Sequence, residues 1–162
     1  MNANLPDDER YMRMALAEAK QAFEKGEVPV GCVIVANGQI VGRGHNLTET
    51  LADVTAHAEI QAITAAANTL GGKYLTQCSL YVTIEPCTMC AGAIGWAQIK
   101  RVIYGASDPK AGSCGSLTNL FEMPYNHKPE VVSGVLEKEC SEILSRFFAR
   151  LREKRKKENP SD

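Results

Sequence analysis

No stretch of the 162-residue sequence approaches the ~20 consecutive apolar residues that a membrane-crossing helix requires, so a helical membrane protein is excluded. Residues 1–9 are polar and acidic and lack the basic stretch and apolar core of a secretion signal; a cytoplasmic, reducing location is expected. Internal repeats, low-complexity tracts and interdomain linkers are missing as well. The length then suits one domain, residues 1–162, able to bury its own core without disulfides. Charge of one sign is also lacking: the net value of −1 says nothing by itself about nucleic acid. Tryptophan occurs once, as Trp96, and a lone Trp is more often a core or interface residue than a stacking platform.

Six cysteines are present, and in a reducing compartment free thiols or metal ligands are a better reading than three disulfides. Cys32, Cys78, Cys114 and Cys140 lie scattered among apolar or small residues and are expected as buried free thiols. Cys87 and Cys90 stand apart as a C-x-x-C pair. The charges are unevenly spread. Residues 146–157 hold seven basic side chains against one acid, whereas residues 1–145 hold 11 basic and 16 acidic ones. Such asymmetry suits a basic arm for a polyanion, and equally a solubilising tail.

Apolar periodicity predicts a first helix capped by Asp7 or Asp8 and running to about Lys25, where Gly26 stops it. Residues 28–36 and 39–44 read as strands joined by an Asn37-Gly38 hairpin turn. An Ala-rich helix over 56–70 is followed by a strand over 79–84 and a helix over 86–97. Pro86 fits the first turn of that helix, where a missing N–H costs nothing. A short strand at 101–104, a Gly- and Ser-rich loop at 105–116, a strand at 131–135 and a basic helix at about 137–157 complete the order. Strands alternating with helices imply an α/β fold whose sheet is at least partly parallel.

Two segments carry the chemistry: His57-Ala58-Glu59 and Pro86-Cys87-Thr88-Met89-Cys90, with 28 residues between His57 and Pro86. Thiols three apart on a helix share a face, and the helix N-terminus favours the thiolate that binds metal. One imidazole and two thiolates are typical zinc donors, and three protein ligands leave a fourth position open for water. Two thiolates neutralise the ion, so a nearby base would help to ionise that water, and Glu59 is the candidate. Its position two residues from His57 suits a proton shuttle better than a ligand. Other readings exist. C-x-x-C also occurs as a redox pair, and a structural zinc would need a fourth donor such as His45 or Cys114, neither at a diagnostic spacing. H-x-E together with P-C-x-x-C favours the catalytic zinc.

This pair of motifs resembles the signature of the cytidine/deoxycytidylate deaminase superfamily, a known pattern for base deaminases. Further stretches are similar to the bacterial tRNA adenosine deaminases over nearly the whole chain. They include EVPVGCVIV (27–35), GHN (44–46), TAHAEIQAI (55–63), LYVTIEPCTMCAGAI (80–94), RVIYGASDPKAGSCGSL (101–117), NHKPEV (126–131) and CSEILSRFFARLREKRK (140–156). The resemblance implies a three-layer α/β/α cytidine-deaminase-like fold around a mixed five-stranded sheet. It implies one zinc per subunit on His57, Cys87 and Cys90, with Glu59 moving a proton from water to the departing amine. It also implies adenosine-to-inosine conversion at the wobble position of a tRNA anticodon stem-loop. Asn46 would hydrogen-bond the flipped base, and Asp108, Lys110 and Asn126 would line the path of neighbouring nucleotides.

In the basic tail, Phe148 and Arg150 would meet RNA if Phe148 turns outward, while Ile143, Leu144, Phe147 and Leu151 form an inner stripe. A homodimer is implied too, with Ala91, Ile94 and Trp96 as interface candidates. Pro109 restricts the backbone of Asp108. The competing reading is a free-base or nucleoside deaminase of guanine or cytosine type, which needs no basic arm. A non-catalytic zinc-binding RNA module would not need Glu59.

Overall fold

The computed structural model describes residues 5–161; residues 1–4 and 162 of the expected domain lie outside the described residues. Five strands form one sheet in the order β2-β1-β3-β4-β5: β1 (Gly31–Ala36), β2 (Gln39–His45), β3 (Ser79–Ile84), β4 (Arg101–Ala106) and β5 (Glu130–Val132). β1 pairs antiparallel with β2 and β3, while β3–β4 and β4–β5 are parallel. The sheet is therefore mixed, as expected.

Strand alternation sends successive side chains to opposite faces. Cys32, Ile34, Leu80, Val82 and Val102 pack on one face under α2 (Ala58–Leu70) and α3 (Thr88–Trp96). Val33, Val35, Tyr81 and Ile103 pack on the other under α1 (Asp8–Glu24) and α4 (Glu137–Glu158). These are the three layers. Cys32, Cys78, Cys114 and Cys140 are buried free thiols, as their surroundings predict. No helix among the described residues is long and apolar enough to cross a membrane.

The Asn37-Gly38 turn has positive φ at both residues, 51° and 73°, the geometry that suits a tight hairpin. The other end of the hairpin meets α2 at unusually close range. A β-carbon on Gly42 or Gly44 would overlap the backbone of α2 at Ala58, Ala62 and Ala66. Small residues on both partners seat α2 directly on the edge strand and so fix where its N-terminus points.

The helix starts differ from the sequence reading. α2 begins at Ala58 because His57, at φ −73° and ψ 157°, is an extended N-cap. α3 begins at Thr88 with Cys87 as an extended N-cap, so Pro86 stands outside the first turn, its carbonyl accepting from Ser113 N at 2.8 Å. β1 starts at Gly31 instead of Val28, β4 runs on to Ala106, and β5 ends at Val132. Asp8 is not a cap. It is fully buried and accepts from Leu5 N (2.8 Å), the Tyr81 hydroxyl (2.7 Å) and the Arg101 guanidinium (3.1 and 3.0 Å).

Candidate active site

The N-termini of α2 and α3 converge at the C-terminal end of β3. His57 caps α2, Cys87 caps α3, and Cys90 follows in the first turn of α3. His57 Nδ1 lies 3.7 Å from Cys87 Sγ and 3.5 Å from Cys90 Sγ, and all three donor atoms fall within 4.8 Å of one another. Zinc bonds of ~2.3 Å to sulfur and ~2.0–2.1 Å to nitrogen place tetrahedral S and N ligands roughly 3.6 Å apart. Both nitrogen–sulfur distances thus suit a tetrahedral ion. Among the described residues the group holds three donors, and neither His45 nor Cys114 joins it. His45 is engaged elsewhere, with Nδ1 2.8 Å from Glu18 and Nε2 2.9 Å from Lys25 Nζ. A fourth side-chain ligand, needed for a structural zinc, is not supplied by the residues the sequence offered for it.

Glu59, in the first turn of α2, is 3% exposed and in contact with the Cys90 side chain. Burial raises its pKa, so this carboxyl takes a proton more readily than a surface glutamate does. The hydrogen bonds of Cys90 and His57 hold the Cys87 thiol low, while Cys90 is pushed up by its bond to Cys87 and by burial. Metal binding takes both sulfurs as thiolates, so a divalent cation bound here would displace any thiol proton. His57 is raised by its contact with Cys87.

The remaining expected site residues are distributed over several surfaces. Asn46, 8% exposed, donates to Val28 O at 3.3 Å and accepts from Thr48 N at 3.1 Å. Asp108 Oδ1 accepts from Lys110 N (3.0 Å) and Ala111 N (3.2 Å), closing its own loop. Lys110 lines a groove of about 560 Å³ with Leu144, Phe148, Leu151, Arg152 and Arg155. Phe148 is exposed there, as expected of an outward ring, whereas Leu144 and Leu151 are only partly buried. The inner stripe of α4 is instead Cys140, Ile143 and Phe147.

Arg150 turns away from this groove and stacks 5.6 Å from the Phe23 ring, which meets Phe147 edge-on. Asn126 lines a separate groove of about 340 Å³ with Trp96, Tyr74 and Tyr125. Trp96 is 85% exposed, but Ala91 and Ile94 are fully buried in the core; expecting those two at an interface is corrected. They belong to the apolar cluster that also holds Ala62 and Ala66 of α2, Phe121 and the sheet residues Leu80, Val82 and Val102.

Sequence reasoning passed over two buried carboxylates beside the site. Glu27 accepts from Glu49 N (3.0 Å) and Thr50 N (2.7 Å), tying down the loop between Asn46 and His57. Glu85 accepts from four donors of the loop 108–116. Burial works against ionisation of both, but the donors outweigh it and lower both pKa values. The available signal was an acid set among strand hydrophobics, directly before Pro-Cys in the case of Glu85.

The sequence profile of MafB19-like deaminases matches residues 6–152. A tRNA-specific adenosine deaminase of Bacillus subtilis (strain 168) is 52% identical over 153 residues, covering 94% of this chain and 95% of that protein. A solved chain from work on A-to-I editing by tRNA:A34 deaminases is 49% identical with a TM-score of 0.81, covering 83% of this chain and 99% of its own. A guanine deaminase from Bacillus subtilis is 38% identical with a TM-score of 0.60, covering 80% of this chain and 79% of its own. With a deaminase profile over most of its length and a relative half identical from end to end, this chain belongs to the tRNA-specific adenosine deaminase family.

Proposed function

We propose that this chain hydrolyses adenosine to inosine at the wobble position of a tRNA anticodon loop, using one zinc ion per subunit. The observation that carries the chemistry is the His57–Cys87–Cys90 donor set at tetrahedral spacing beside the buried Glu59. The names of the half-identical relatives support the RNA substrate. Zinc held by these three donors would act as a Lewis acid that lowers the pKa of water.

In the reaction adenosine and water give inosine and ammonia; a C–O bond forms at the amidine carbon of the purine and its C–N bond breaks. Glu59, with its raised pKa, accepts the proton of the water and returns it to the departing nitrogen. Asn46 keeps one Nδ2 hydrogen and one Oδ1 lone pair beyond its two internal bonds, enough to read a purine edge. Phe148 offers a ring for base stacking, and Lys110, Arg152 and Arg155 around it offer phosphate partners. Asp108 and Asn126 would border neighbouring nucleotides, and Arg150 would act from the far side of α4. The exposed Trp96, with Tyr74 and Tyr125 beside it, supports a homodimer through that face. A cytoplasmic location accords with a tRNA substrate.

The test is incubation of zinc-loaded protein with an unmodified anticodon stem-loop carrying adenosine at the wobble position, read by mass spectrometry. Inosine in the RNA, and none with Glu59→Gln, is the expected result. Ammonia from free guanine or cytosine without inosine in RNA would replace this reading with the free-base one.

A further inference from the structure

Glu85 directly follows β3, two residues before Cys87, and is 2% exposed. Its four donors all come from the loop that follows β4. Oε1 accepts from Asp108 N at 3.1 Å and from the Ser116 hydroxyl; Oε2 accepts from Cys114 N at 3.0 Å and Ser116 N at 3.1 Å. The loop wraps so closely that a methyl group on Gly112 would overlap this carboxylate and the Asp108 carbonyl. Neighbouring bonds continue the lacing: Ser113 N donates to Pro86 O at 2.8 Å, and the Ser113 and Thr88 hydroxyls lie 2.6 Å apart.

A Gly- and Ser-rich segment has little intrinsic stiffness. Most of its order here comes from one buried charge just after β3, with the Ser113 bonds to Pro86 and Thr88 beside it.

We propose that Glu85 is a positioning residue for the substrate: it holds Asp108, and through it the 108–116 loop, at a fixed place beside the metal donors. This rests on the tRNA reading for what the loop contacts, and on the hydrogen bonds alone for what Glu85 holds. Asp108 then folds the start of the loop around itself, accepting from Lys110 N, Ala111 N and, through its carbonyl, Gly112 N at 2.8 Å. A displaced Asp108 therefore takes the Lys110 backbone with it. Chemistry at Glu59 is untouched, so the consequence falls on RNA affinity and not on turnover.

Glu85→Gln separates the contacts. The amide oxygen can still accept from Cys114 N and Ser116 N, and the amide NH2 can donate to the Ser116 hydroxyl. That NH2 group then opposes the Asp108 N–H, donor against donor. Hydrogen exchange should show the Asp108 amide losing protection while those of Cys114 and Ser116 keep theirs. KM for the stem-loop should rise about tenfold, with kcat within about twofold and zinc stoichiometry unchanged. In an Asp108→Ala background Glu85→Gln should raise KM by less than it does in wild type, because part of its effect acts through the Asp108 side chain.

Gly112→Ala disturbs the same contact from the loop side and should reproduce the KM rise even where the buried amide impairs folding. Zinc loss, a fall in kcat at constant KM, additive effects or an unchanged Asp108 amide would each overturn the assignment. Amide exchange needs no substrate, so it decides the role of Glu85 even where wild-type protein makes no inosine. That last outcome sinks only the tRNA reading.

Discussion

The carboxylate of Asp8 and the guanidinium of Arg101 face each other in a bidentate pair, at 3.1 and 3.0 Å, across 93 residues of sequence. Tyr81 donates to the same carboxylate, and Glu130 accepts from Arg101 Nε at 2.7 Å. The start of α1 is thereby bolted to β3, β4 and β5.

Removing one partner of a buried pair leaves the other uncompensated. Asp8→Leu should cost about 3 kcal/mol in urea unfolding. A loss below about 1 kcal/mol would show that the pair is not holding the fold. Burial alone would raise the pKa of Asp8, but the bonds from Arg101, Leu5 and Tyr81 outweigh it and lower it. A carboxyl lowered on folding stabilises the protein above its unfolded value, near 3.8, and loses that contribution as pH falls through the folded value. Wild type should therefore lose stability more steeply than Asp8→Asn as pH drops below about 4.

Glu59→Gln preserves shape and removes the proton carrier. Zinc content by atomic emission should remain one per chain, while inosine formation falls by roughly 10²–10⁴-fold. Turnover within a few fold of wild type would remove Glu59 from the proton path.

In chelated protein the charge shared by the two thiols rests on Cys87, which is also more exposed than Cys90. Iodoacetamide should then modify Cys87 first among the six cysteines at neutral pH, and zinc should protect it. Peptide mapping reads this directly. Equal labelling of Cys87 and Cys140 would contradict the electrostatics described for the donor set.

The groove along α4 predicts a split between stacking and charge. Phe148→Ala should weaken stem-loop binding by about 1–3 kcal/mol with little change in salt dependence. Arg152→Ala should instead lower the slope of log K against log salt by about one unit. Fluorescence anisotropy at several salt concentrations distinguishes them, and identical behaviour of the two variants would argue against a stacked base at Phe148.

Much of the site was legible because its logic is short-range. Metal chemistry restricts donors to a few residue types, and Cys87 and Cys90 share a turn whatever else the chain does. The hairpin at Asn37-Gly38 and the Ser79–Ile84 strand likewise follow from neighbours in sequence. Helix starts were harder: periodicity continues through His57 and Pro86, but the extended backbone of His57 and Cys87 delays each helix by two residues.

Sequence by itself determined the donor types and the order of helices and strands, since each depends on spacing along one element. Tertiary structure alone decided what the buried charges do. A lone Asp8, Glu27 or Glu85 in sequence reads as surface, because a buried carboxylate needs several donors at once. Those donors lie 22 to 31 residues away for Glu27 and Glu85, and up to 93 away for Asp8. The folded chain also turned Arg150 to Phe23 and Phe148 to Lys110, because neighbouring layers select which side of α4 each side chain meets.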